Sequence, residues 1–127
     1  MLYRVPHEDI EFEIPDDWWE LAGAIGFTPS QKAFAAFSDA QWPTTLVPIK
    51  DVAAPRRNPG VEGLLKERTV SILRAFVTGA ELPPVEVEPG SLAFRVRDGF
   101  HRYYLSIAAG FCMLPVSIRP SFDFNAR

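Results

Sequence analysis

Residues 92–110 constrain the fold more than any other stretch, because an alternating strand runs into a tight turn and leaves it as a helix. Leu92, Phe94 and Val96 face one way while Ala93, Arg95 and Arg97 face the other. Asp98-Gly99 makes the turn, and Tyr103, Tyr104, Ile107 and Ala108 then recur at helical spacing up to Gly110. The junction points first-turn N–H groups, the His101 imidazole and the Arg102 guanidinium at one spot. Unpaired amides and the positive end of a helix dipole suit an anionic group such as phosphate.

The rest of the chain supplies the frame. Short strands are expected at Leu2–Val5 and Asp9–Ile14, followed by a helix opening at Pro15 with Asp16 as its cap and ending near Gly23 or Gly26. Thr28-Pro29-Ser30-Gln31 fits the start of a second helix, which Trp42-Pro43 would end. Thr44–Val52 reads as a strand whose Pro48 calls for an edge position or a bulge. Pro55–Gly60 is a basic loop with Asn58 as a candidate cap and Pro59 at the first helical position. The helix expected there carries Val61, Leu64, Leu65, Ile72, Leu73 and Phe76 on one side and stops at Gly79. Strands follow at Pro83–Glu88 and Leu92–Arg97 around Pro89-Gly90, and a last one at Leu114–Ile118. This order predicts an α+β fold, a small mixed sheet with flanking helices over 44–118. An acidic extension would occupy 1–43 and a tail 119–127.

Charge narrows where an anion would bind. The chain of 127 residues carries a net charge of −3, unfavourable for unaided binding to nucleic acid. Residues 1–51 hold nine acidic and three basic side chains, whereas residues 52–127 hold seven and ten, so the second part is the place for an anion. The acidic part is either a solvated surface or a contact for a basic partner. Cys112, the single cysteine, excludes an internal disulfide or a cysteine-built zinc site, and His7 and His101 have no ligand spacing. The first residues turn acidic too soon for a signal peptide, and no apolar run approaches the roughly 20 residues that cross a bilayer. A cytoplasmic location is expected, without membrane attachment.

Within the site, Gly99 lets the backbone turn sharply and approach a ligand closely. A hydrogen bond from Arg102 to phosphate contributes roughly 1.5–3 kcal/mol and the helix dipole about 0.3–1 kcal/mol, so the arginine should dominate. His101 is either a donor to phosphate or a side chain bonded to a neighbouring loop. Tyr103 and Tyr104 either stack on a base or belong to the core.

A family resemblance adds to this reading. Asp98-Gly99-Phe100-His101-Arg102, with Tyr104, Ala108-Ala109-Gly110 and Leu114-Pro115-Val116, resembles the ParB/sulfiredoxin superfamily, whose partition proteins carry Gly-x-x-Arg and whose sulfiredoxins carry Gly-Cys-His-Arg at this point. Ser71-Ile72, Gly79 and Leu82–Val87 resemble the stretch before that box, and Arg57-Asn58-Pro59 the first basic box. The likeness spans about 44–118, and the whole chain is similar to small uncharacterised bacterial proteins described as ParB-like nuclease-domain proteins. It implies nucleotide binding, with ATP or CTP and Mg²⁺. Gly99, Phe100, His101 and Arg102 would form the phosphate cradle, with Arg56 and Arg57 across the cleft. The sequence also departs from the family. Phe100 stands where sulfiredoxins have their catalytic cysteine, which excludes sulfinic acid reduction. Histidine precedes Arg102 where partition proteins usually have arginine. A chain stopping at Arg127 leaves no room for a helix-turn-helix, so a complete partition protein is not expected.

Three functions compete. The first is a stand-alone nucleotide- or phosphate-binding domain, a small phosphotransferase or nucleotidase, with Asp98 and Glu67 as carboxylates for Mg²⁺. Against these roles, Glu67 reads better as an exposed helix carboxylate, and Asp98 is alternatively a group bonded to amides of its turn. The second is a noncatalytic protein-interaction module using the acidic N-terminal region, with Trp18 and Trp19 as anchors. The third is a DNA-binding nuclease, for which no carboxylate or histidine cluster is evident.

Overall fold

The computed structural model describes residues 1–57, 59–60 and 63–120. The elements are β1 (Leu2–Arg4), β2 (Glu11–Glu13), α1 (Asp16–Leu21), β3 (Thr44–Pro48), β4 (Val52–Ala53), α2 (Lys66–Thr78), β5 (Val85–Glu88), β6 (Phe94–Asp98), α3 (Phe100–Ala109) and β7 (Met113–Ile118). A 3₁₀ turn, Ile49–Asp51, joins β3 to β4. Strands β1 and β2 pair with each other, and the other five form one mixed sheet in the order β3-β7-β5-β6-β4. The result is a mixed α+β fold.

The segment read as one strand, Thr44–Val52, is two strands on opposite edges of this sheet. Pro48 has no N–H to donate, and the backbone turns there. In a flat sheet the two edges would lie roughly 19 Å apart, four spacings of about 4.8 Å. Four residue steps from Pro48 to Val52 span at most about 15 Å. The sheet therefore curls toward a partly closed barrel, and Ile49 N–H donates to the Cys112 carbonyl (3.1 Å) to hold the turn.

Two expected helices change. Residues 27–43 form no helix; their backbone pairs with distant segments instead. The Lys32 carbonyl accepts from Cys112 and Met113, and Leu82 exchanges bonds with Ala35 and Phe37. Phe34 is buried and stacks on Phe76 at 5.6 Å, an anchorage that outweighs weak local periodicity. The central helix begins at Lys66, not Pro59, with extended Leu65 as its N-cap. Gly60 at φ 86° and the nearby Gly63 oppose an earlier start. Leu64 and Leu65 thus precede α2, while Asn58, Val61 and Glu62 lie outside the described residues. From there Thr69, Ile72, Leu73 and Phe76 form its buried stripe, and Gly79 ends it in the left-handed conformation, as the sequence predicts.

Smaller corrections follow the same logic. Asp16 is the first residue of α1 rather than its cap; Pro15 takes that place, and the Asp16 carboxylate pairs with the Met1 amine at 3.2 Å. Leu92 lies before β6 and is 99% exposed, so it does not share the Phe94–Val96 face.

Residues 1–43 share the core of the remainder. Val5 and Ile14 are completely buried in the same cluster as Leu73, Val85, Leu105, Leu114 and Val116; each such side chain contributes roughly 1.5–3 kcal/mol. A row of aromatic contacts links the two parts, from Phe100 to Tyr104 (4.9 Å), Phe12 (5.0 Å) and Tyr3 (5.5 Å). Trp18 and Trp19 are both half-buried against this core. Of the expected tail, Arg119 continues the sheet through a bond to the Val87 carbonyl (2.7 Å), and 121–127 fall outside the described residues. Among the described residues, no helix is long and apolar enough to cross a membrane.

Candidate anion-binding cleft

Strands β4 and β6 are parallel, with Val52 opposite Phe94 and Ala53 opposite Arg95. Parallel strands end at the same end of a sheet. The basic loop after β4 therefore emerges beside the Asp98-Gly99 turn that leads into α3. Between them lies a cleft of about 690 Å³ lined by Arg56, Arg57, Arg68, Arg97, Arg102, Asp98, Gly99, Phe100 and His101, with apolar walls from Ile72, Leu82 and Val96. Seven of the eight residues singled out in the sequence line it. Glu67 does not; it is exposed on α2, one residue before Arg68, which does. Arg68 and Arg97 were missed. Arg68 stands four residues before buried Ile72, a spacing that is informative only once α2 is known to start at Lys66.

The turn is built for glycine. Gly99 has φ 120° and ψ 31°, and a Cβ there would stand 3.0 Å from the Val85 side chain. The first backbone bond of α3 runs from Tyr103 N–H to the Gly99 carbonyl (2.9 Å). The N–H groups of Phe100, His101 and Arg102 precede it and have no partner among the described residues.

The guanidinium groups differ in what holds them. Arg102 Nη1 donates to the carbonyls of Pro83 (2.6 Å) and Pro84 (2.7 Å), and Nη2 lies 3.7 Å from Asp98 Oδ2. Burial lowers its pKa from the ordinary value, with Asp98 and Glu86 opposing that shift. Arg102 is thus largely spent on shaping the Pro83-Pro84 wall, a role not foreseen for it. Arg57 lies over the Phe100 ring at 4.2 Å, a contact that orients it without consuming its charge. Neither Arg57 nor Arg68 has a carboxylate within 4 Å among the described residues. These two are the cleft's uncompensated cations. Arg56 faces Glu8 at 3.8 Å and Arg97 faces Glu88 at 3.9 Å.

His101 takes the loop-bonded alternative. Its ring is 3% exposed, and Nε2 accepts from the N–H of Leu65 at 2.9 Å. An accepting Nε2 requires the neutral ring with its proton on Nδ1. Burial, followed by Arg68 and Arg57, pushes its pKa down to about 4. His101 therefore fixes the residue from which α2 starts and is uncharged near neutral pH. Tyr103 and Tyr104 take the core alternative: they are buried, and their hydroxyls donate to the Val52 (2.9 Å) and Pro55 (2.7 Å) carbonyls. Burial raises both of their pKa values.

Among the described residues Asp98 is the only carboxylate lining the cleft. Among the described residues no three His, Cys, Asp or Glu side chains converge as metal ligands. Comparison with protein-family models and with curated proteins finds no match to the chain.

Proposed function

We propose that this chain is a phosphate-binding domain of the ParB/sulfiredoxin type that takes the phosphates of a nucleotide into the Arg-lined cleft. One observation carries this: among the described residues, five guanidinium groups, one carboxylate and three unpartnered amides of α3 surround a cleft of about 690 Å³. That volume lies within the ordinary range for small-molecule sites. Phosphate oxygens would meet the α3 amides, Arg57 and Arg68, while Arg102 holds the opposite wall. The resemblance over 44–118 favours ATP or CTP as the ligand. Mg²⁺ keeps most of its waters and takes one or two carboxylates together with phosphate oxygens. Asp98 is the carboxylate that would hold it, and the metal would supply charge neutralisation for a phosphotransferase or nucleotidase. Glu67 has no part in this arrangement.

A thermal-shift panel of ATP, CTP, GTP and pyrophosphate, with and without Mg²⁺, tests the reading. Ligand at ten times its Kd adds about 1.4 kcal/mol of stability, a few degrees in Tm. The shift should disappear in Arg57→Ala and Arg68→Ala. No shift with any member of the panel would overturn it. The protein-interaction reading draws on a different surface, a cavity of about 400 Å³ lined by Tyr3, Trp19 and Phe27 beside exposed Ile25. It gains ground if the panel fails.

A further inference from the structure

We propose that Glu8 is an internal counter-anion of the cleft, a carboxylate that competes with an incoming phosphate group for Arg56. This rests on the phosphate-binding reading above and adds a control on its affinity. Glu8 lies in the loop between β1 and β2, far in sequence from the basic loop and outside the stretch that carries the family resemblance.

Its carboxylate is held rather than free. Oε2 accepts from Ala54 N–H at 2.6 Å, and Oε1 faces Arg56 Nη2 at 3.8 Å. The side chain is 25% exposed, while that of Arg56 is 73% exposed. The neighbouring residue secures the same strand: His7 Nε2 lies 2.9 Å from the Val52 carbonyl, which also accepts from Tyr103. Exposed ion pairs usually contribute little because two long side chains must be ordered. Here Glu8 is already ordered by a charge-assisted bond to the backbone, so only the Arg56 side chain remains to be ordered for the pair to form. Arg56 moreover lines the cleft, whereas Glu8 does not. An anion entering the cleft meets Arg56 partly neutralised, and Arg57 and Arg68 are left as the stronger attractors.

The two oxygens separate by substitution. Glu8→Gln keeps an oxygen for Ala54 N–H and removes the charge. Isothermal titration of the full chain with pyrophosphate at low salt compares wild type, Glu8→Gln, Arg56→Gln and the double variant. The expected result is about two- to fivefold tighter binding in Glu8→Gln, and no tightening when Arg56 is already Gln, the non-additivity of a directly coupled pair. A purely structural Glu8 would not tighten binding when changed. Binding by wild type with an unchanged Kd in Glu8→Gln overturns the counter-anion proposal alone. Tightening that persists in the Arg56→Gln background also overturns it. If neither wild type nor Glu8→Gln binds, this proposal and the phosphate-binding reading fall together; binding seen only in Glu8→Gln supports both.

Discussion

His101 should make the protein lose stability in mild acid. In the folded chain its pKa is about 4, against 6.5 for an ordinary histidine. The folded state thus resists the proton that the unfolded chain accepts. The contribution is complete above the unfolded value and is lost as pH falls from 6.5 toward 4. At pH 5 about 97% of unfolded chains but only about 9% of folded ones would carry this proton, a loss of about 2 kcal/mol relative to pH 8. Burial is the leading cause and persists in salt. Arg57 and Arg68 are exposed, and salt screens their share, leaving about 1–2 kcal/mol at physiological ionic strength. Urea unfolding at pH 8, 6 and 5 measures this, with His101→Gln as the reference because glutamine offers an oxygen to Leu65 N–H without titrating. Wild type should lose about 1–2 kcal/mol more than the variant between pH 8 and pH 5. Parallel losses in the two proteins would refute a buried, neutral His101, and with it the account of where α2 starts.

Other outcomes follow from the same contacts. Gly99→Ala forces a side chain into positive φ against Val85 and should cost about 1–3 kcal/mol, measured by urea midpoint. Arg102→Lys cannot reproduce paired donation to the Pro83 and Pro84 carbonyls; it should lower Tm even without ligand, whereas Arg57→Ala should leave Tm nearly unchanged and reduce pyrophosphate affinity. Leu73→Ala, at a side chain 1% exposed, should cost about 2–5 kcal/mol in the same unfolding assay.

The strand, turn and helix at 94–109 were legible because local signals agree there: period-two alternation, an obligatory glycine and helical spacing all mark the same boundaries. The α3 start was legible as a candidate anion site from residue type and charge asymmetry, whereas Arg56 and Arg57 were set across from it only by the family resemblance. What the residues alone do not disclose is the competition for partners. Residues 27–43 carry a capping pattern, but their amides and carbonyls find Leu82 and Cys112 in the folded chain. Leu64 and Leu65 fit a helical stripe, yet the Leu65 N–H is taken by His101, 36 residues away. The assignment of Arg102 to backbone carbonyls was hidden for the same reason, since nothing local marks Pro83 and Pro84 as acceptors. The N-terminal region looked separable because its acidity differs from the rest, whereas burial of Val5 and Ile14 makes it part of one core.

The turn at Ile49–Asp51 acts as a short strap across the mouth of a curled sheet. Its length sets how far the β4 edge can swing from β3, and Arg56 and Arg57 ride on that edge. Two glycines inserted beside exposed Lys50 would slacken the strap without altering any group in the cleft. On the phosphate-binding reading, pyrophosphate affinity should then fall through geometry alone.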